Sequence, residues 1–256
     1  MIVTRVIPCL LLRNQGLVKT VKFRNPKYLG DPINVVRIFN DKEVDELVLL
    51  DITATPEGRE PQFDYIAMLA TECFMPLCYG GGVRTVEHVK RLCSLGVEKV
   101  AVNSYAVEHP AFITAAAELV GSSSVIASID VKRDFWGRYR VYTHGGQVAT
   151  GLDPVRHAQE MERRGAGEIL LNAIDRDGIM KGYDLELIGE VTRSVGVPVV
   201  ACGGAGTVEH LAQAVRDGGA AAAAAGSMFV FTGPHRAVLI SYPEPERLRL
   251  LLGESF

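Results

Sequence analysis

The sequence predicts a (β/α)8 TIM barrel built from two similar (β/α)4 halves. Short apolar runs typical of buried strands alternate with longer stretches whose apolar residues recur at helical spacing, and this happens eight times. The segment GGVRTVEH (81–88) returns as GGAGTVEH (203–210), identical at six of eight positions and 122 residues later. Eight strand–helix units in 256 residues favour the barrel, because an open doubly wound sheet would not explain the repeat.

Each half supplies four of the predicted strands. In chain order they are RVIPCLLL, ELVLLDI, MPLCYGG and KVAVN, then VIASIDV, EILLNAI, PVVACGG and AAAAAG. The segment FWGRYRVYTHGG (135–146) predicts a hairpin in the loop after the fifth strand. No linker separates the halves, so we expect residues 1–256 to form one domain whose repeat boundary lies near residue 122.

The composition argues against several classes of partner. The chain is 48% hydrophobic and has a formal net charge of −3 without a run of lysine or arginine, so we expect neither nucleic acid nor a membrane surface. The apolar N-terminal stretch is short, lacks a small-residue cleavage site and is followed by charged residues. We therefore expect a cytoplasmic protein without a membrane span.

Cysteine and histidine positions indicate neither a disulfide framework nor a metal site. The five cysteines form no CxxC pair, which favours reduced thiols. Cys9, Cys78 and Cys202 lie in apolar runs and are interpreted as small core residues. His88 and His210 have no second ligand at metal spacing. We expect no metal and no other cofactor.

Glycines and small polar residues recur in both halves at the carboxyl ends of the predicted strands, where barrels of this kind place their reactive groups. They are Gly80, Gly81, Gly82, Asn103 and Ser104 in the first half, and Asp177, Gly178, Gly203, Gly204, Gly226 and Ser227 in the second. Backbone N–H groups in such turns, with a helix N-terminus behind them, hold phosphate. One cluster alone is weak evidence, because glycine is common in turns. Two matching clusters predict a phosphate site, and suit an elongated ligand with a phosphate at each end.

Four charged residues start strands at the opposite end of the predicted barrel. Alternation along each strand places Arg5 on the same face as Leu11, and Lys99 on the same face as Asn103. With Glu46 and Glu168 they form a set of balanced sign at one level. Solvated residues at strand starts are the alternative. A ring of ion pairs closing the barrel floor explains the set better, because a buried charge needs a partner.

Several motifs, in order and spacing, resemble the cyclase subunit of imidazole glycerol phosphate synthase over residues 1 to about 230. They are RVIPCL, DELVLLDITA, YGGGV, EKVAVNS, SIDVKR, RGAGEILLNAIDRDG, GYD and ACGGAG. The resemblance implies a (β/α)8 barrel that pairs with a glutaminase subunit and receives ammonia through its centre. It also implies closure of an imidazole ring on a substrate with two phosphates.

The resemblance assigns roles to individual residues. One phosphate site would be formed by Gly82, Asn103 and Ser104, and the other by Asp177, Gly178, Gly204, Gly226 and Ser227. The four charged residues at the strand starts match the family's gate to the ammonia tunnel. Glu98 lies where the family's barrel meets the glutaminase, so it is a candidate interface residue.

The sequence departs from the family on the first strand. The family carries one aspartate there and another on the fifth strand, and these act as acid and base on either side of the forming ring. Here Asp130 remains as the candidate general base, whereas Leu11 stands at the other position and cannot transfer a proton. Loss of one such group costs about 10²- to 10⁴-fold in rate. Asn172 and Cys202 also stand where small hydroxyl residues are expected.

The leucine-rich start and the tail HRAVLISYP resemble a divergent branch of the family, associated with genes for surface polysaccharide sugars. That resemblance implies an ammonia-conducting subunit that works with a glutaminase and an N-acetyl sugar amidotransferase to turn an acetamido group into an acetamidino group. Two alternatives remain. One is a genuine cyclase of histidine biosynthesis, and the other is a non-catalytic phosphate-binding scaffold.

Two further residues have open roles. Lys19, in the loop after the first strand, is the best substitute for the missing acid, with a flexible surface lysine as the alternative. Asp51 ends the second strand and either orients groups in the mouth or caps the next helix.

Overall fold

The computed structural model describes residues 4–252, without side-chain detail at positions 245 and 249. In this range the strands are β1 Arg5–Arg13, β2 Gly16–Val21, β3 Arg24–Gly30, β4 Leu47–Asp51, β5 Leu77–Gly80, β6 Lys99–Val102, β7 Val125–Arg133, β8 Tyr139–Thr143, β9 Val148–Ala149, β10 Glu168–Ala173, β11 Val199–Cys202, β12 Ala222–Ala225, β13 Phe231–Thr232 and β14 Ala237–Val238. The helices are α1 Pro32–Asp41, α2 Phe63–Glu72, α3 Val86–Ser94, α4 Ser104–Glu108, α5 Ala111–Val120, α6 Pro154–Arg163, α7 Leu185–Thr192, α8 Val208–Arg216, α9 Ser227–Val230 and α10 Pro245–Leu252, with a 3₁₀ turn at Ser122–Ser124.

Eight parallel strands close into a barrel with helices around it. Their order is β1, β4, β5, β6, β7, β10, β11 and β12, and β12 pairs with β1 to close the ring. The predicted (β/α)8 barrel is confirmed, and each of the eight predicted runs supplies one barrel strand. In this order β1 and β7 are four strands apart in either direction, so they face each other across the barrel.

Helix starts repeat the two-fold pattern of the sequence. Asp31 and Asp153, 122 positions apart, each accept a hydrogen bond from a backbone N–H in the first turn of the helix they cap, α1 and α6. In both cases a proline follows, at the position where a helix needs no N–H donor. The two halves therefore build corresponding helices with the same chemistry.

Two hairpins extend from barrel strands at the carboxyl end. Strands β7, β8 and β9 form the hairpin predicted at 135–146, with Asp130 opposite Tyr142. A second one, β2–β3, pairs antiparallel with the end of β1, so that Leu11 lies opposite Val18. This second hairpin was not predicted, and it means that Lys19 lies on a strand rather than in a loop.

Apolar side chains form two cores. One lies between the strands and the surrounding helices. The other fills the barrel interior with Ile7, Cys9, Val48, Leu50, Cys78, Ala101, Ile126, Leu170, Val200, Cys202, Ala222 and Ala224. The three strand cysteines are thus buried as small core residues and have free thiols, as expected.

The C-terminal segment runs along the outside of the barrel from one end to the other. Near the carboxyl end of the strands, Arg236 donates from Nη2 to the carbonyl oxygen of Gly178 at 2.8 Å. Near the amino end, the hydroxyl of Tyr242 donates to the carbonyl oxygen of Val6 at 2.9 Å. Of the helices described, none is both long and apolar enough to cross a membrane.

Candidate active site

A cavity of about 650 Å³ opens at the carboxyl ends of the barrel strands. Its walls contain most of the predicted site residues, among them Leu11, Lys19, Asp51, Gly82, Asn103, Ser104, Asp130, Asp177, Gly178, Gly204, Gly226 and Ser227. Both halves of the chain contribute, because each supplies four strand ends. The structure therefore brings the proposed catalytic and phosphate-binding positions together.

Asp130 projects into this cavity from β7 and has an altered acidity. Its Oδ2 accepts a hydrogen bond from Nδ2 of Asn103 at 2.9 Å. Burial of the carboxyl group, together with the negative charge of Asp177, raises the pKa of Asp130 to about 7. A carboxyl group that titrates near neutral pH is suited to accept or donate a proton in a reaction.

Leu11 faces Asp130 across the cavity. Both side chains line it, and their strands, β1 and β7, are on opposite sides of the barrel. On this side of the mouth the chain therefore presents an aliphatic group opposite the carboxyl group of Asp130. Of these two facing side chains, only Asp130 can exchange a proton.

Lys19 and Asp177 form a buried ion pair beside the cavity. Lys19 Nζ lies 2.7 Å from Asp177 Oδ1, and Thr20 Oγ1 donates to Asp177 Oδ2 at 3.1 Å. The pair joins the β2–β3 hairpin to the loop after β10. Lys19 is 6% exposed, so the interpretation as a flexible surface lysine is wrong. Its charge is buried because a carboxylate 158 positions away along the chain neutralises it.

The glycine clusters form turns in which the backbone itself lines the cavity. Gly82 has a φ of +72° and Gly204 a φ of +126°. A Cβ at Gly204 would lie 2.3 Å from the carbonyl oxygen of Gly182, so a larger residue would not fit there. The N–H of Gly82 donates to Thr55 Oγ1 at 3.2 Å. Asn103 and Gly226 also line the cavity and directly precede the short helices α4 and α9, whose first N–H groups have no partner within the helix.

The serines of the two candidate phosphate cradles differ in their hydrogen bonding. Ser104 Oγ accepts a hydrogen bond from the backbone N–H of His144 at 2.9 Å, which ties the β8–β9 turn to the cavity wall. Ser227 is 3% exposed, and its hydroxyl has no hydrogen-bond partner among the described residues. Buried hydroxyls are normally paired, so Ser227 retains the capacity to donate to an oxygen atom of a ligand.

The four charged residues at the strand starts meet inside the barrel at its amino end. Arg5 pairs with both Glu46 and Glu168. Lys99 Nζ lies 2.7 Å from Glu46 and 2.9 Å from Glu168. Two cations thus alternate with two carboxylates in a closed cycle, which we call the charged ring. The side chains of the carboxylates are at most 5% exposed, so each depends on both cations for neutralisation.

Between the charged ring and the cavity the barrel contains small and apolar side chains. Six of the twelve interior residues are alanine or cysteine. Along β10, Glu168 of the ring, Leu170 of this interior core and Asn172 of the cavity wall follow at every second position. The inward faces of the strands therefore change from charged to apolar to polar along the barrel axis.

Other predicted residues have structural partners. Asp51 accepts hydrogen bonds from the N–H groups of Thr53 and Ala54 at 2.9 and 3.0 Å, so it caps the turn after β4. It does not cap the next helix, which begins only at Phe63. It also lines the cavity. Glu98 is exposed directly before β6, at the same end as the charged ring.

Comparison with known proteins bears on the family. A model of the histidine biosynthesis protein family matches residues 5–234, which include all eight barrel strands. The chain belongs to this family, in its HisF branch. The resemblance seen in the sequence is thus confirmed at the level of the HisF-type cyclase subunit.

Three HisF relatives show how much of the chain is shared. A Pseudomonas aeruginosa protein with the provisional name imidazole glycerol phosphate synthase subunit hisF2 is 52% identical over 97% of this chain and 99% of its own length. A Vibrio vulnificus protein, provisionally subunit hisF3, is 48% identical over 98% of this chain and 97% of its own length. The imidazole glycerol phosphate synthase subunit HisF of Alkaliphilus metalliredigens is 46% identical over 90% of this chain and 91% of its own length.

Proposed function

We propose that this HisF-type barrel receives ammonia from a glutaminase subunit and delivers it at the cavity to an acceptor outside histidine biosynthesis, in the synthesis of an acetamidino sugar. The observation that carries this proposal is Leu11 facing Asp130 across the cavity, while the charged ring remains complete. We interpret the charged ring as machinery for moving a small molecule, and Leu11 as the loss of half of the acid–base pair for ring closure.

The apolar character of the residues between the two ends supports transport of a neutral molecule. Leu170 and the interior alanines offer an apolar environment, in which an uncompensated charge such as ammonium is costly. At the amino end, the charged ring separates this interior from the surface. Glu98 lies on that surface and is proposed to contact the glutaminase.

The two glycine-rich turns support a phosphorylated acceptor. The buried hydroxyl of Ser227, beside Gly226, has no hydrogen-bond partner within residues 4–252, and Gly204 lets the backbone approach closely. We propose phosphate at this cradle, and at the turn formed by Gly82 and Asn103.

Two assays with purified proteins test the proposal. In the first, a HisH-type glutaminase from the same organism hydrolyses glutamine with and without this chain, and we expect the chain to raise its turnover at least tenfold. In the second, the chain is given the bisphosphate intermediate of histidine biosynthesis and excess ammonium, and we expect no ring closure above background. A chain that leaves the glutaminase unchanged would support the phosphate-binding scaffold instead. A chain that closes the ring at ordinary enzyme rates would overturn the proposal.

A genuine cyclase is the second candidate, because of Lys19. This lysine is buried at the cavity wall, and its neighbour Val18 is paired with Leu11. An ammonium group in that position is the substitute for the missing acid. If wild type closes the ring, loss of that activity in Lys19→Ala with stimulation of the glutaminase retained would assign the role to Lys19, with Lys22→Ala as the exposed control.

A further inference from the structure

Four neighbouring segments around the cavity mouth carry exposed basic and aromatic residues, and together we call them the mouth crest. They are the hairpin segments 22–27 and 133–140, the loop 174–181 and the turn 233–236. The backbone N–H of Lys22 donates to the carbonyl oxygen of Asp177 at 2.9 Å, and Arg236 donates to Gly178 at 2.8 Å. The N–H of Arg133 donates to the carboxylate of Asp175 at 3.0 Å. These bonds hold the four segments side by side.

The crest has an excess of positive charge. Lys22, Arg24, Lys27, Arg176 and Lys181 are all exposed. Among the residues that the structure describes, no carboxylate lies within ion-pair distance of any of these five. The whole chain has a net charge of −3, so this surface is opposite in sign to the protein as a whole.

The acidic side chains of the crest are already engaged. Asp134 pairs with Arg138 at 3.2 Å and with Arg140 at 3.4 Å. Asp177 is buried against Lys19. They therefore do not neutralise the exposed cations.

These cations belong to the outer surface rather than to the cavity. In the first hairpin, Phe23 and Pro26 line the cavity, whereas Lys22, Arg24 and Lys27 do not. A small ligand inside the cavity thus would not contact them. A partner large enough to cover the mouth would contact all three.

Two aromatic side chains at the tip of the second hairpin are also uncovered. Phe135 is 95% exposed and Trp136 is 75% exposed, with their ring centroids 5.8 Å apart in an edge-to-face arrangement. Arg138 lies over the ring of Trp136 at 5.2 Å. Exposed large aromatic groups mark interaction sites, and tryptophan and arginine are enriched among residues that dominate protein–protein affinity.

We propose that the mouth crest is the docking surface for the nitrogen-accepting enzyme, which presents an acidic face to it. This rests on the proposed function, in which ammonia is delivered to the acceptor at the cavity, so the enzyme that modifies the acceptor has to close over that cavity. Ammonia that reaches open water at neutral pH is protonated and loses its nucleophilicity. Transfer therefore requires that the acceptor covers the mouth, and the crest supplies charge for steering and aromatic groups for anchoring.

The test uses the barrel–glutaminase complex and a purified N-acetyl sugar amidotransferase from the same organism as the probe. Binding is measured by calorimetry at low and moderate salt. Nitrogen transfer from amide-¹⁵N glutamine to the sugar is measured against excess unlabelled ammonium. The variant is Lys22→Glu/Arg24→Glu/Lys27→Glu. The control is Lys90→Glu/Arg156→Glu, which reverses two exposed charges on α3 and α6, outside the mouth crest.

We expect the triple variant to bind the amidotransferase at least tenfold more weakly. Its sugar product should contain no more ¹⁵N than mixing with the unlabelled ammonium predicts. The control should bind the amidotransferase and label the sugar as wild type does. The variant keeps its stimulation of the glutaminase, because the crest is far from the charged ring. Equal binding by variant and wild type would overturn the docking proposal alone, whereas absence of glutaminase stimulation in wild type would overturn the proposed function. Tighter binding of a random-sequence RNA than of the amidotransferase, lost in the same variant, would also overturn the assignment to a protein partner.

Discussion

Lys19 and Asp177 hold the first hairpin against the loop after β10 through a contact of 2.7 Å between Nζ and Oδ1. The side chains are 5% and 10% exposed, so this is an interior ion pair. Lys19 also donates to the carbonyl oxygen of Thr20 at 3.1 Å, which satisfies a second proton of its ammonium group. Removal of either partner leaves an unpaired buried charge. The resulting loss in the free energy of unfolding usually exceeds what the ion pair itself contributes relative to two apolar residues of similar size.

Lys19→Met is therefore expected to lower the free energy of unfolding by about 3 kcal/mol, because Asp177 remains buried without a cation. The double variant Lys19→Met/Asp177→Leu should regain most of this loss. Urea unfolding of the single and double variants measures both effects. Arg37→Met in the exposed pair with Glu72 is the control, with an expected change below about 1 kcal/mol. Equal losses in the free energy of unfolding for Lys19→Met and Arg37→Met would contradict the prediction.

Asp130→Asn should stabilise the protein in a pH-dependent manner. Because the pKa of Asp130 is raised from 3.8 to about 7, the folded chain holds this proton more tightly than the unfolded chain. Wild type thus loses stability as pH rises from about 4 to about 7, by up to about 4 kcal/mol. We expect the variant to be more stable than wild type at pH 8 and nearly equal at pH 4 in urea unfolding. Exposed Asp64→Asn serves as the control and should show no such dependence. A gain of the same size at both pH values would show that titration is not the cause.

Leu11→Asp places a carboxyl group across the cavity from Asp130, so that two groups able to exchange a proton face each other there. We expect ring closure with excess ammonium to rise about 10²-fold over wild type, the lower end of what one proton-transfer group contributes. Leu11→Asn has nearly the same shape without the ability to ionise, and should stay at the wild-type level. If the two variants were equally active, polarity rather than proton transfer would explain the gain.

Lys99→Met removes one of the two cations of the charged ring. Glu46 and Glu168 then share Arg5 alone, and we expect a loss of about 3 kcal/mol at pH 7. Thermal unfolding at pH 7 measures it, with Lys90→Met on the exposed surface of α3 as the control. An equally small loss of stability in both variants would contradict the prediction.

The barrel was predictable because its signals are local. Strand periodicity and the repeat depend on residues near each other in the chain, and the same alternation placed Arg5 and Lys99 on the inward face. The offset of 122 residues reappears in the caps of α1 and α6. Such features can be recognised in the sequence without knowing which distant residues are in contact.

The hairpin β2–β3 was missed for the opposite reason. Its segment alternates, but the inward position holds Lys19, and a lysine normally indicates solvent. The partner that allows burial, Asp177, is 158 positions away and could not be assigned from the sequence. The raised pKa of Asp130 depends in the same way on a cavity that exists only after closure of the barrel.

The strand Ala222–Ala225 influences the internal width of the barrel. Its inward side chains, Ala222 and Ala224, are methyl groups with no exposed surface. On this side the internal width of the barrel is set by side-chain size, and each added methylene group would narrow it without moving a strand. Evolution could thus retune which molecules fit inside through single substitutions, leaving the scaffold unchanged.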